Sequence, residues 1–253
     1  MRECSNFFMQ NKDAEIEFFN TAVCESPWTT FNKNGQRQIF KLFEEKIKPK
    51  KGEIALDMGC GTGEFSEKLQ GYGLNVTGID ISKKAIEYCK EKYKGKNILF
   101  SVQDIENTTY VDNSMDIIFF GGVLHHFPNR DKVFKEAYRI LKKNGRIYGF
   151  DPNFYNLILW IYREKLKIKT QKTENEVLIK AEEIEKELKE VGFSKIDVKS
   201  TANMTFDINY FKKLVPFPLY YSAHVYNLVE QFIQNIKSIR EKYSSFVITY
   251  AQK

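Results

Sequence analysis

Ala55-Leu56-Asp57-Met58-Gly59-Cys60-Gly61-Thr62-Gly63 is the stretch that most restricts what this chain can become. An apolar, strand-like run ends in three spaced glycines, and a helix-forming segment, Glu64–Gln70, follows at once. Glycines at such a junction let the backbone turn sharply and let a ligand approach the chain. The helix start beyond it offers unpaired N–H groups. A dinucleotide-binding fingerprint reads G-x-G-x-x-G, and its third glycine position falls here on Glu64. A carboxylate there is the wrong charge for a pyrophosphate, which disfavours a nicotinamide oxidoreductase. No Gly-Lys-Ser/Thr follows, so a Walker phosphate loop is excluded.

The rest of the chain repeats the alternation that this junction begins. Strands are predicted at Glu53–Met58, Leu74–Ile79, Ile98–Val102, Met115–Phe120, Arg146–Phe150, Lys195–Val198 and Phe246–Ala251. Helices are predicted at Gln36–Ile47, after a turn at Asn34-Gly35, and from a Ser82 N-cap to about Tyr93. Further helices fall at Lys132–Leu141, Phe154–Leu166 and Glu176–Val191, the last stopped by Gly192. Buried strands alternating with amphipathic helices imply an α/β fold with a doubly wound, mostly parallel sheet. Residues 201–243 break the rhythm with Pro216, Pro218, many aromatics and His224, and read as an insertion over one sheet edge.

The 253 residues suffice for one such domain with a small cap, and the net charge of +6 shows no dense basic block. Cys4, Cys24, Cys60 and Cys89 form no C-x-x-C pair, and no histidine stands at zinc spacing from them, so no metal is expected. The N-terminus lacks the apolar core of a signal peptide and no run approaches a membrane span, so a cytoplasmic location is expected.

Asp80 ends the second predicted strand at about the distance where an acidic side chain takes both hydroxyls of a ribose. The site therefore suits a nucleoside that tolerates nearby carboxylates. A nucleoside bearing a cationic centre, such as S-adenosylmethionine, satisfies both demands.

From Ile54 to Asp151 the chain resembles the class I S-adenosylmethionine-dependent methyltransferases, in their small-molecule branch. Asp57-x-Gly59-Cys60-Gly61-Thr62-Gly63 matches that family's first motif, and Gly78-Ile79-Asp80-Ile81-Ser82 its ribose-binding acidic motif. Gln103-Asp104-Ile105 matches the segment that meets adenine. Met115-Asp116-Ile117-Ile118 with Val123-Leu124-His125-His126-Phe127 matches the fourth-strand region. Arg139–Gly145 resembles R-x-L-K-P-G-G, with Lys143-Asn144 in place of Pro-Gly. The resemblance implies a Rossmann-like sheet of seven strands, the last antiparallel. It also implies S-adenosyl-L-methionine as cofactor, with Asp57, Gly59, Cys60, Gly61, Asp80, Ile81, Asp104, Ile105 and Gly121 around it.

Methyl transfer from a sulfonium needs chiefly alignment, and a base only where the acceptor must lose a proton. His125 and His126 follow the fourth strand, at the sheet edge where ligands of such folds bind. His126 is the expected base, because its neighbour can turn into the packing between sheet and helix. Asp151, ending the fifth strand, either meets the acceptor or caps the following helix. The expected acceptor is a small molecule methylated at O, N or C, with no nucleic-acid partner. An RNA or protein methyltransferase and a nonenzymatic cofactor-binding module are the alternatives. Residues 1–50 are expected to form a helical lid, 51–200 with 244–253 the core, and 201–243 a cap over the acceptor.

Overall fold

The computed structural model describes residues 11–25, 33–160, 175–202 and 222–253. Its strands are β1 (Ile54–Met58), β2 (Asn75–Asp80), β3 (Ile98–Val102), β4 (Met115–Gly121), β5 (Leu141–Pro152), β6 (Ser194–Ala202) and β7 (Phe246–Gln252). They form one seven-stranded sheet in the order β3-β2-β1-β4-β5-β7-β6. The pairs from β3 through β5 are parallel, and β7 runs antiparallel to both β5 and β6. The strand order reverses beside β1, so the carboxyl ends of β1 and β4 flank the switch point where a crevice opens.

Side-chain alternation along the strands divides the core into two apolar layers. Ala55, Val76, Ile117, Phe119, Tyr148 and Phe150 face one layer with Ile39, Phe40, Phe43 and Ile47. Leu56, Met58, Ile79, Ile118, Phe120 and Ile147 face the other, with Val133, Phe134, Ala137 and Ile140 from the helix Asp131–Ile140. Phe40 stacks on Phe119 at 5.9 Å and Tyr148 Oη donates to Ile39 O at 2.7 Å, which pins the helix Lys33–Ile47 to the sheet.

In chain order the helices are α1 (Lys12–Glu25), α2 (Lys33–Ile47), α3 (Glu64–Gly71), α4 (Lys83–Lys92), α5 (Asp131–Ile140), α6 (Leu157–Trp160), α7 (Ala181–Val191), α8 (Ser222–Asn235) and α9 (Lys237–Tyr243). Ser82 caps α4, its Oγ accepting from Ala85 N at 3.1 Å. Gly192 ends α7 with φ at 108°.

Four sequence expectations are corrected. Asn34-Gly35 lies inside α2 and makes no turn, because burial of the Ile39, Phe40, Phe43 and Ile47 stripe outweighs the local preference. For the same reason α2 is a core helix and not part of a lid. The helix expected from Glu176 begins at Ala181. Residues 176–180 are instead extended along the end of β5, with Ile179 N donating to Pro152 O at 2.9 Å and Phe154 N to Ile179 O at 2.8 Å. β5 is also longer than expected, running straight out of α5 at Leu141.

Helix α9 lies against the edge strand β6, so this part of the 201–243 segment sits at one edge of the sheet. The aromatics of 203–221, residues 161–166 of the expected Phe154–Leu166 helix and the side chain of His224 lie outside the described residues. Among the described residues no helix is long and apolar enough to cross a membrane.

Candidate active site

β1, β2, β3, β4 and β5 are parallel neighbours, so Asp57, Asp80, Asp104, His125 and Asp151 all gather at one edge of the sheet. The glycine loop is anchored there by its own backbone. Gly59 N and Cys60 N both donate to Ile79 O, at 2.8 and 2.9 Å. Gly59 has φ at 77°, and a Cβ on it would lie 2.4 Å from Val123 Cγ2. No other residue fits that approach of β1 to the turn after β4. Gly61 also has positive φ, but a Cβ there would meet nothing within 4 Å, so its backbone borders open space.

Asp80 joins the two motifs. Its Oδ2 accepts from Gly61 N at 2.9 Å and its Oδ1 from Ser82 N at 2.8 Å. Burial raises its pKa, while those two N–H groups and the nearby His126 pull it down. A carboxylate offers about four acceptor positions, so two amides leave room for ribose hydroxyls.

Asp57 is fully buried behind the loop, where Ser66 Oγ donates to its Oδ2 at 2.6 Å. Its Oδ1 is buried without a hydrogen-bond partner among the described residues. Burial lifts this carboxyl to about 7, against the opposing Ser66 hydrogen bond. The orphaned oxygen, the open backbone at Gly61 and the spare acceptor capacity of Asp80 together fit a polar, hydroxyl-bearing ligand with a cationic part.

The Cys60 side chain is buried in one apolar layer with Cys89. Cys60 Sγ and Cys89 Sγ both approach Gly61 O, at 4.0 and 3.2 Å, and burial pushes the Cys60 thiol well up. Ile81 is half-buried directly after Asp80. Asp104 Oδ2 binds Lys12 Nζ of α1 at 2.5 Å, and Lys12 also pairs with Glu106. Ile105 is buried in the apolar layer with Leu56, Met58 and Ile79. At Gly121 a Cβ would come within 2.9 Å of the Phe65 and Phe119 rings, so packing alone accounts for a glycine there.

The histidines occupy a short 3-10 turn, Leu124–His126, directly after β4. Their rings lie side by side with centroids 4.2 Å apart, and both are largely buried. His125 does not turn away into the sheet–helix packing. Its Nδ1 is 2.9 Å from Asp151 Oδ1, which also accepts from His125 N at 3.0 Å. Asp151 is thereby corrected: it is fully buried behind His125, neither open to an acceptor nor capping a helix. It holds the His125 ring and amide together, and burial raises its pKa well above the usual carboxylate range.

His126 has its own carboxylate, with Nδ1 3.3 Å from Glu15 Oε2 on α1, and Phe19 packs edge-on against its ring at 5.1 Å. Asn175 Nδ2 donates to Glu15 Oε1 at 2.8 Å, and Val177 N to His125 O at 2.8 Å. Between those two anchors stands Glu176, which shares a cluster with both histidines. Glu15, Lys12 and Glu176 were missed in the sequence, since Glu15 stands over 100 residues from His126 and carries no motif.

The methyltransferase domain family matches residues 56–149 by its sequence profile. A demethylmenaquinone methyltransferase of Lactobacillus johnsonii is 37% identical over 121 residues, covering 45% of this chain and 48% of that protein. A ubiquinone biosynthesis O-methyltransferase of Coxiella burnetii is 34% identical over 110 residues, covering 43% of this chain and 47% of its own length. The chain thus spans about half the length of these curated relatives. Among solved structures, a Haemonchus contortus phosphoethanolamine N-methyltransferase 2, complexed with phosphomonomethylethanolamine and S-adenosylhomocysteine, superposes with a TM-score of 0.63. The superposition covers 97% of this chain and 58% of that one at 21% identity, a likeness of fold.

Proposed function

Since the chain belongs to the class I S-adenosylmethionine-dependent methyltransferases, we propose that it transfers a methyl group from S-adenosyl-L-methionine to an O, N or C nucleophile of a small-molecule acceptor. The observation that carries this is the meeting of Gly61, Asp80 and the histidine pair at one sheet edge, with His126 close enough to act on the charge of Asp80. A nucleoside end and a reacting end then lie within one crevice.

Gly59, the Cys60 backbone, Gly61, Asp80 and Ile81 would hold the cofactor, and the orphaned Asp57 oxygen is available to a donor it brings. Asp104 reaches the same edge from β3, with Lys12 screening its charge. The bound cofactor supplies a methyl already activated by its sulfonium. The work left to the chain is alignment, which is worth on the order of 7–11 kcal/mol when reacting atoms are held in line. The acceptor end is His125, oriented by Asp151, and His126, which stands beside Glu15. Residues 11–25 are the described segment we assign to covering the cleft. The Lys12, Glu15 and Asn20 contacts of α1 with Asp104, His126 and Ser82 support this.

The test is incubation with S-adenosylmethionine labelled in its methyl group and fractionated metabolite pools. Quinone precursors and phosphoethanolamine, the acceptor types named for the relatives, are run alongside. The expected result is a labelled small molecule whose mass has grown by one methylene. Cofactor binding without transfer to any fraction would overturn the enzymatic reading and leave a binding module.

A further inference from the structure

The histidine pair carries more architecture than acceptor contact requires. One ring nitrogen of His125, one of His126 and one carboxylate oxygen of Glu176 lie within 4.8 Å of one another. Donors around one tetrahedral zinc ion stand roughly 3.3–3.6 Å apart, with Zn–N and Zn–O distances of about 2.0–2.2 Å. A small side-chain rotation therefore closes the set.

The surroundings match what a bound ion demands of its ligands. A metal-ligating histidine characteristically gives its second ring nitrogen to a carboxylate, which fixes the tautomer and raises ligand basicity. Here His125 has that partner on Nδ1, Asp151 Oδ1 at 2.9 Å, and a second carboxylate oxygen, Glu15 Oε2, stands 3.3 Å from His126 Nδ1 without a hydrogen bond between them. In the tautomer that donates from His125 Nδ1 to Asp151, the lone pair is on Nε2.

The third ligand is placed by its neighbours, since Asn175 binds Glu15 and Val177 binds the His125 carbonyl. Glu176 and Glu15 place two carboxylates beside the two imidazoles, and Arg130 is engaged by Glu187 through two bonds of 2.8 and 2.7 Å.

We propose that His125, His126 and Glu176 bind one divalent first-row transition-metal ion, of which Zn2+ is the best fit, at the acceptor end of the cleft. Two imidazoles and one carboxylate suit ions of intermediate softness, and three protein ligands leave a position open for an oxygen of the acceptor. The ion site rests on the geometry of the cluster, and its place at the acceptor end rests on the function proposed above.

The full-length protein, stripped with a chelator and dialysed, is titrated with Zn2+ by calorimetry. The chain has three histidines, so 15N-histidine spectra resolve which of them respond. One equivalent of Zn2+ is expected to shift His125 and His126 and leave His224 unmoved. Asp151→Asn should weaken the site by roughly 10–100-fold. Glu176→Gln should weaken it further, with the metal-free variant melting as the wild type does.

If Zn2+ moves neither His125 nor His126 in the wild type, the proposal is wrong, whatever the variants do. Uptake that is unchanged in a folded Glu176→Gln protein overturns it too. Binding of S-adenosylmethionine by the stripped protein is measured in parallel. Its loss would count against the methyltransferase reading and leave the ion site standing.

Discussion

The amide of Gly61 donates to Oδ2 of Asp80 at 2.9 Å, so the glycine loop after β1 and the acidic end of β2 hold each other. Asp80→Ala removes both that anchor and the charged acceptor for a ribose, each such bond being worth roughly 1.5–3 kcal/mol. Calorimetry should show S-adenosylmethionine binding at least about tenfold weaker in the variant. Unchanged affinity would refute the assignment.

Asp57 sets a pH dependence of stability. Its carboxyl titrates at about 7 in the folded chain, raised by burial, and at about 3.9 when unfolded. Between those values the unfolded chain has released the proton and the folded chain has kept it, so stability falls as pH rises from about 4 to about 7. Asp57→Asn, which cannot ionise, should therefore lose less melting temperature between pH 5 and pH 8 than the wild type. An equal loss in both proteins would show that Asp57 keeps an ordinary pKa.

Gly59→Ala should destabilise the fold by about 1–3 kcal/mol in urea unfolding, through overpacking against Val123 and a left-handed backbone. Adding Val123→Ala should recover part of the loss, because the clash is relieved while the positive φ remains. Full recovery would show that the backbone conformation costs nothing.

His126→Ala should lower kcat on the order of 100-fold, the scale of losing alignment at the reacting end. Cofactor affinity should change much less than in Asp80→Ala, since Gly61 and Asp80 are the residues proposed to hold that end. A variant with normal kcat would make His126 a structural residue linking the turn after β4 to Glu15 on α1.

Lys12→Ala tests the role of α1. It removes the cation that binds Asp104 and Glu106. Hydrogen exchange in residues 12–25 should quicken in this variant while the amides of β1 and β4 stay protected. Unchanged exchange would mean that the packing of Phe19 and Glu15 on His126 suffices to hold α1.

The strands, the Ser82 cap, the Gly192 stop and the glycine loop were legible in the sequence because their causes are local. Strand burial follows a period of two, an N-cap needs its hydroxyl three residues from its amide, and a sharp turn needs glycine. Asp80 was legible at one remove, since a strand, a helix and a second strand fix its distance from Gly61. The start of α2 across Asn34-Gly35 and the extended path of residues 176–180 were decided by tertiary burial and by pairing with the end of β5, which override weak local preferences. Two of the carboxylates beside the histidines, Glu15 and Glu176, were beyond local reading as well. Glu15 meets His126 only because α1 folds back over the sheet edge, and Glu176 joins them only because the chain after β5 returns along its end. Local propensity acts over a few residues, whereas an active-site cluster is assembled from strand ends that the sheet brings side by side.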